Sequence, residues 1–535
     1  MTWLAETIML SHGWRRALLL VLAGAIAGLS VPPFFILPAL VVAMPAWIWA
    51  LDGAEPGRGI FGRLFGPAFR IGFAFGWGYF LVGFHWLGAA FFVDGGAMLA
   101  LMPFAIAALS ALIALFWGVA SALMHLVWSH GAARLLVFAS LLTGAEWLRG
   151  HVLSGFPFDL LGYALTGTGE MMQAAALIGV YGLTFVAALI GGLGALVWPA
   201  DRRALTRRLF PVFLGLGLIA AQLGYGLNRL AEPVPPPLAT TVRLIQPVVM
   251  EHADWGVVDP AAIITRLIEL SEAAPANSAA GLEGVDLLVW PESALPFYIE
   301  TYPDALARIA RMLPDQTLLL AGAPRRPFGD DPTAPPFNAL LAIDTEGQII
   351  GTYDKAHLVP FGEFLPLAEL WSRFGIRQFV PGADGWQHGD ARRRLMELPG
   401  LPALLALICY EILFSGDLGD TDTAEIMLNV TNDAWFDASI GPAQHAHHAR
   451  LRAVEEGIGL VRVANSGLTF TTDAYGRITA ELPARTAASL DVALPGRLDG
   501  TPFTQWRHWP MLALIVFGLL VGGFARLRGR TKKAS

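Results

Sequence analysis

Three observations point to an eight-span α-helical membrane protein with an α/β domain inserted before the last span. Of 535 residues, 55% are hydrophobic and 15% are charged, with a mean hydropathy of +0.54. An ordinary soluble domain carries about 25% charged residues. The charge is also segregated. Residues 1–231 hold 12 Arg against 8 acidic residues, residues 232–508 hold 18 Arg and one Lys against 35, and residues 509–535 hold 5 basic residues and no acid. Finally, the basic residues crowd alternate loops between the apolar segments. A simple soluble enzyme and a disordered chain are both excluded, and the acidic middle offers no basic block to nucleic acid.

Runs of about 20 apolar residues suit a membrane crossing. They fall at 15–31, 34–51, 69–92, 98–128, 133–149, 174–198, 209–227 and 509–526. The turn Val31-Pro32-Pro33 separates the first two. The first run alone would pass for a signal peptide, but six more follow it, so it reads as retained. Fifteen basic residues share one side: Arg15, Arg16, Arg58, Arg63, Arg70, Arg134, Arg202, Arg203, Arg207, Arg208, Arg526, Arg528, Arg530, Lys532 and Lys533. The opposite short loops hold only Arg149 and Arg229. Cytoplasmic loops are the Lys/Arg-rich ones, which puts both termini in the cytoplasm and the acidic middle on the periplasmic face of a bacterial inner membrane. The predicted division is 1–231 for spans one to seven, 232–508 for the α/β domain, and 509–535 for span eight and a basic tail. The stretch Pro233-Val234-Pro235-Pro236-Pro237 reads as a stiff linker out of span seven.

In the middle, short Val/Ile/Leu-rich runs alternate with helical patterns. Strands are expected at 241–249, 285–290, 317–322, 338–344, 349–353, 403–409, 426–430, 460–463, 468–473 and 489–492, and helices at 260–274, 303–312 and 442–457. Such alternation predicts a layered α/β sheet fold. No Gly-rich phosphate loop and no GxSxG elbow occurs, so nucleotide-binding and serine-hydrolase readings lack their marks.

Three of these strands end on reactive groups. Asp286–Trp290 runs into Pro291-Glu292-Ser293, the strand at 349–353 into Asp354-Lys355-Ala356-His357, and Leu404–Ile408 into Cys409-Tyr410-Glu411. Sites in α/β sheets gather beyond the carboxyl ends of strands. A thiol is a nucleophile only as thiolate, so it needs a base and a nearby cation. Glu292 can take the proton, and Lys355 can lower the thiol pKa and hold an oxyanion. Cys409 is the one cysteine in the chain, which excludes an internal disulfide and a Cys-rich metal site. Lys355 is the one lysine outside the C-terminal tail. Each group has a plainer reading: an inert core thiol, a solvated lysine, and a carboxylate capping a helix after Pro291.

The three strand ends resemble the Glu–Lys–Cys triad of the nitrilase, or carbon–nitrogen hydrolase, superfamily. With membrane spans on both sides, the chain is similar to its membrane-embedded branch, the bacterial apolipoprotein N-acyltransferases, over nearly its whole length. Trp290-Pro291-Glu292-Ser293 resembles the general-base segment. Tyr353-Asp354-Lys355-Ala356-His357-Leu358-Val359-Pro360-Phe361-Gly362-Glu363 resembles the lysine segment, which reaches a second essential glutamate, here Glu363. Cys409-Tyr410-Glu411 resembles the nucleophile segment, in which the Tyr and Glu also matter, and the run 429–436, with Asn432, matches the segment after it. Gln246 with Trp255 resembles an early loop whose Trp is functional, and Glu146–Gly150 with Gly155-Phe156-Pro157 resembles an outer loop.

The resemblance implies an αββα sandwich for the middle domain and a two-step acyl transfer. Glu292 deprotonates Cys409, which attacks the sn-1 ester of a phospholipid, typically phosphatidylethanolamine. Lys355 and backbone N–H groups, that of Tyr410 among them, steady the oxyanion. The thioester acyl-enzyme then passes its chain to the α-amine of a diacylglyceryl-cysteine, giving a triacylated lipoprotein. Glu363 orients Lys355 or shares its charge, and Glu411 lines the site. No cofactor or metal is implied, and a monomer is expected.

Two other functions use the same residues differently. A membrane-bound nitrilase-type amidase shares the triad, but the spans and the long lysine segment through Glu363 argue against it. A polytopic transporter with a binding domain predicts paired polar residues within the spans, which are poor in them. His445, His447 and His448 lie in a helical pattern and read as solvated or structural rather than as metal ligands. Asn429-Val430-Thr431 fits a glycosylation pattern but falls in a buried strand, so no modification is expected. Glu146 is a carboxylate at a span end whose plainest partner is Arg149 on the same helix. Phe361, Phe364, Leu367, Leu370, Trp371, Phe374 and Phe379 form an apolar loop that either dips toward lipid or packs locally.

Overall fold

The structure, a computed structural model, describes residues 2–94, 99–129, 131–197, 205–249, 259–275, 277–327, 334–367, 373, 385–436 and 439–534. The chain forms two compact units. One comprises Met1–Gly88, Gly96–Glu232 and Gln505–Ser535, and the other Pro233–Thr504 with Ala89–Gly95.

The first unit is helical. Among the described residues, five helices are long and apolar enough to cross a membrane: Gly59–Val93, Met102–Leu126, Ala175–Val197, Leu209–Leu230 and Trp509–Arg528. Leu37–Asp52 is apolar but shorter. Gly13–Gly28 and Ala133–His151 occupy the remaining two expected spans. The latter is less apolar because it carries Arg134, Glu146 and Arg149, all buried. A helix at Thr2–Leu10, not expected from the sequence, precedes them.

Small residues set one close helix crossing. A Cβ on Gly24 would lie 1.9 Å from Phe75 O, and one on Gly78 would lie 1.9 Å from Val21 O. Gly13–Gly28 and Pro67–Phe84 thus touch backbone to backbone, a packing that glycine alone permits. The unit also holds a fully buried ion pair. Arg149 donates from Nε to Glu146 Oε1 and from Nη2 to Oε2, each at 2.8 Å. Its Nη1 donates to the carbonyls of Phe156 and Phe158. Trp117 Nε1 completes the cluster at 2.7 Å from Glu146 Oε1. The pair expected on helical spacing is present, and it fastens the following loop as well.

The second unit is a two-sheet sandwich. Eleven strands form it: β1 Thr241–Gln246, β2 Leu287–Val289, β3 Leu318–Arg325, β4 Phe337–Ile343, β5 Ile349–Asp354, β6 Leu404–Ile408, β7 Ile426–Thr431, β8 Leu460–Ala464, β9 Thr469–Thr472, β10 Ile478–Leu482 and β11 Ala488–Ala493. One sheet runs β11-β1-β2-β3-β4-β5 and the other β10-β9-β8-β7-β6. The β1–β2–β3 and β6–β7–β8 neighbours are parallel, and the outer pairs antiparallel. Strand β10 is the one element absent from the expected set. Its run Ile-Thr-Ala-Glu-Leu is mostly exposed and lacks an apolar face.

Period-two burial assigns the two faces of the first sheet. Val242, Leu244, Leu287, Val289, Leu318 and Leu320 meet Leu404, Ala406, Ile408, Leu428, Val430 and Val461 of the second sheet in one core. The alternate residues Ile245, Leu288, Trp290, Leu319 and Ala321 pack against Ile263, Ile264 and Leu267 of helix Pro260–Glu272 and Ile309 and Met312 of helix Pro303–Met312. Helix Gly441–Glu456, buried along most of its length, packs on the second sheet beside β8. Helices thus flank two face-packed sheets.

Candidate active site

Glu292, Lys355 and Cys409 leave the ends of β2, β5 and β6, and the structure brings them together. Glu292 is fixed by its backbone. Trp290 N donates to Leu320 O at 2.8 Å, and Leu295 N to Gly322 O at 3.0 Å. Ser293, next in sequence, has φ +54°. A Cβ on Gly322 would fall 2.4 Å from Pro291 O and 2.6 Å from Glu292 Cα, so only glycine lets β3 approach this turn.

Three donors reach the Glu292 carboxylate. Asn338 Nδ2 lies 2.9 Å and Lys355 Nζ 3.3 Å from Oε1, and Asn432 N lies 2.8 Å from Oε2. Lys355 is held in turn. Its N–H donates to Asn338 O at 2.8 Å, and its ammonium lies 2.8 Å from Glu363 Oε1. Asn338 Nδ2 also lies 3.1 Å from Glu363 Oε1, so one amide spans both carboxylates. Glu363 Oε2 accepts from Val359 N at 2.7 Å. Burial alone would depress the Lys355 ammonium, but Glu292 and Glu363 overcome that and hold it well above the usual lysine range. Lys355 is therefore a cation fixed beside Glu292.

Cys409 ends β6 in the left-handed region, at φ +51°, and opens the short helical turn Cys409–Leu413. It is partly exposed. Desolvation and the Glu292 charge push its thiol up, while Lys355 pulls it down and only partly compensates. Lys355 lowers the thiol, but burial and Glu292 outweigh it and the resting group is a neutral S–H. Sulfur attack and proton loss to a base must then be coupled.

Glu411 stands behind the site. It is fully buried and braces the site from within. Its Oε1 accepts from Ala356 N and His357 N at 2.8 and 3.0 Å, and its Oε2 from Ile408 N and Tyr353 Oη at 2.8 and 2.9 Å. One carboxylate thus ties the lysine segment to the cysteine segment. Tyr410 is buried and packs edge-on against Phe414 at 5.2 Å. Asn432 serves Glu292 through its N–H, and its side chain accepts from Asn465 Nδ2 at 3.1 Å.

Trp255, Leu370, Trp371, Phe374 and Phe379 lie outside the described residues. Of the apolar loop, Phe361 and Phe364 are half-buried and Leu367 is exposed. The three histidines are buried rather than solvated. Asn338 escaped the sequence reading, since nothing marks a single amide at the head of an apolar run.

Two families match the chain. Residues 23–193 match the apolipoprotein N-acyltransferase N-terminal domain, and residues 241–498 match carbon-nitrogen hydrolase. Similar curated proteins include the apolipoprotein N-acyltransferase of Rhodopseudomonas palustris, 39% identical over 97% of this chain and 96% of that protein. That of Rhizobium leguminosarum bv. trifolii is 40% identical over 97% and 98% of the two chains. That of Brucella melitensis biotype 1 is 38% identical over 97% and 96%.

Proposed function

The chain belongs to the apolipoprotein N-acyltransferase family, and from that premise we propose that Glu292, Lys355 and Cys409 carry its acyl transfer as base, oxyanion partner and nucleophile. The observation that supports this most is the Lys355 ammonium, buried 3.3 Å from Glu292 and acting on the Cys409 thiol. The acyl donor is a phospholipid, with the sn-1 ester of phosphatidylethanolamine as its reacting bond. The acceptor is the N-terminal α-amine of a diacylglyceryl-cysteine.

In the first half-reaction the Cys409 S–H proton moves to Glu292 as sulfur attacks the ester carbon. Negative charge thereby leaves Glu292 and appears on the ester oxygen, beside a cation that stays charged because Glu363 holds it. Tyr410 N–H is the second donor to that oxygen. Collapse breaks the ester C–O bond, the glycerol oxygen recovers the proton from Glu292, and lysophospholipid leaves a thioester. In the second half the amine attacks the thioester, Glu292 takes its proton, and Cys409 departs and regains that proton.

A lipid donor and a lipidated acceptor both reside in a membrane, which gives the helical unit a purpose beyond anchorage. We read the eight helices at the expected spans as crossings, with 232–508 as a periplasmic catalytic domain and both termini cytoplasmic. The five long apolar helices and the bias of 15 basic residues to one set of loops support that orientation.

The test is incubation of the purified protein with acyl-labelled phosphatidylethanolamine and recovery of a hydroxylamine-labile adduct. Cys409→Ala abolishes it, and a diacylated lipopeptide discharges it. An adduct on Cys409→Ala overturns the nucleophile, and discharge by water alone overturns the transferase half.

A further inference from the structure

A second buried cluster, separate from Glu292, Lys355 and Glu363, converges on the main chain of Cys409. His445, on helix Gly441–Glu456, places Nε2 3.1 Å from Cys409 O. A carbonyl only accepts, so Nε2 carries the proton. Its Nδ1 lies 3.1 Å from Arg462 Nη2. Both ring nitrogens of His445 are thus committed to polar partners, which removes it as a metal ligand.

The cluster behind it holds the ring in place. Arg462 Nη2 also lies 2.9 Å from Asp433 Oδ2, and the Thr431 hydroxyl lies 3.1 Å from Asp433 Oδ1. His445 Nδ1 stands 3.2 Å from Asp433 Oδ1. Arg462 Nη1 donates to Asn429 Oδ1, and Asn429 Nδ2 reaches Leu407 O at 3.0 Å and Cys409 O at 3.4 Å. Asn429 and Arg462 have no exposed surface, and a Cβ on Gly467 would fall 2.2 Å from Asp433 Oδ2. Burial and the Arg462 charge keep His445 below the usual histidine range.

These donors meet a backbone that needs holding. A non-glycine residue in the left-handed region is strained, and such strain persists only where surrounding contacts over-determine it. Cys409 is such a residue, at φ +51°. Its carbonyl direction is coupled through one peptide plane to Tyr410 N–H.

We propose that His445 is a positioning residue for acyl transfer: its Nε2–H holds the Cys409 carbonyl and so fixes the aim of the thiol and of the next N–H. The inference rests on Cys409 being the nucleophile. It separates His445 from a residue that merely anchors its helix, because the demand is for one donor at one point.

The test compares full-length His445→Leu, His445→Gln, His445→Asn and Cys409→Ala in single-turnover acylation by labelled phosphatidylethanolamine, with melting followed in parallel. Glutamine places an amide N–H near the position of Nε2, whereas asparagine is polar but too short. His445→Leu slows acyl-enzyme formation at saturating lipid by about 10- to 100-fold, the scale of a slightly misaimed reacting group. Its KM stays within about two-fold, and His445→Gln recovers most of the rate. Wild-type rate in His445→Leu, or equal rates in the Gln and Leu variants with wild-type melting, overturns the proposal. Should the Leu variant not fold, Gln against Asn decides it in the same way: a faster Gln supports it and equal rates overturn it. An adduct on Cys409→Ala instead overturns the nucleophile assignment, and this inference with it.

Discussion

The Lys355 ammonium and the Glu363 carboxylate form an ion pair at 2.8 Å, with the lysine almost fully buried. Glu363 therefore does for Lys355 what solvent would otherwise do, and in the proposed mechanism it keeps the charge while Glu292 carries a proton. Replacing Glu363 with Gln preserves shape and removes that charge. Burial then weighs more heavily on the lysine, whose pKa falls. Acyl-enzyme formation is expected to drop by about 10²-fold, comparable to removing one oxyanion donor. Near wild-type acylation of labelled phospholipid by Glu363→Gln or Glu363→Ala would remove Glu363 from the machinery.

Glu292 and the Cys409 thiol give a prediction of opposite signs. Glu292 raises the thiol pKa and, in the proposed mechanism, is also its base. In Glu292→Gln the raising charge is gone, so the thiolate fraction at a given pH increases. Alkylation of Cys409 by a small haloacetamide should become faster than in the wild type at pH 8, while acyl transfer falls by about 10²-fold or more. Lys355→Met should slow both, because Lys355 lowers the same thiol. Parallel losses of alkylation and acylation in Glu292→Gln would contradict the assignment.

Much of this site was legible because each reactive group ends an apolar run. Glu292, Lys355 and Cys409 stand at the ends of β2, β5 and β6, and strand ends are visible in a sequence. What stayed hidden depends on third dimensions that no local pattern encodes. Asn338 begins an ordinary apolar strand, and its bridging of Glu292 and Glu363 follows only from β4 pairing with β5, where Ala339 stands opposite Asp354. The target of His445 is a backbone carbonyl 36 residues away, which carries no residue-type signal at all. Glu411 was visible as a carboxylate beside the cysteine, but its brace on Ala356 and His357 needs the two sheets face to face. The helical unit was the easier half: apolar length marks its helices directly, five of the described ones are long and apolar enough to cross a membrane, and Ala133–His151 is less apolar because it carries a buried ion pair.

Asp433 predicts a specific dependence of stability on pH. Burial opposes its charge, but Arg462, His445 and Thr431 overcome that and hold the carboxyl down at about 2. A carboxyl depressed in the folded state stabilises the fold above its ordinary range, near pH 4, and loses that contribution as pH falls toward 2. Nearly two pH units correspond to roughly 2–3 kcal/mol. The melting gap between wild type and Asp433→Asn in detergent should therefore be constant from pH 5 to 8 and narrow steadily below pH 4. A gap that does not narrow would mean that Asp433 is not held ionised by its partners.

Arg149 and Glu146 allow the helical unit to be tested by itself. Both side chains are fully buried and joined by two 2.8 Å bonds. Such a pair is a modest source of net stability, since desolvating two charges offsets most of their attraction, but breaking it leaves one buried charge uncompensated at about 3–5 kcal/mol. Arg149→Met also frees the carbonyls of Phe156 and Phe158 that the guanidinium serves. Arg149→Met should thus lower the melting temperature more than Arg149→Met combined with Glu146→Gln, in which Trp117 Nε1 keeps a neutral acceptor. If the double variant melts below the single one, the stranded Glu146 charge is not the cost, and the lost loop contacts of Arg149 are.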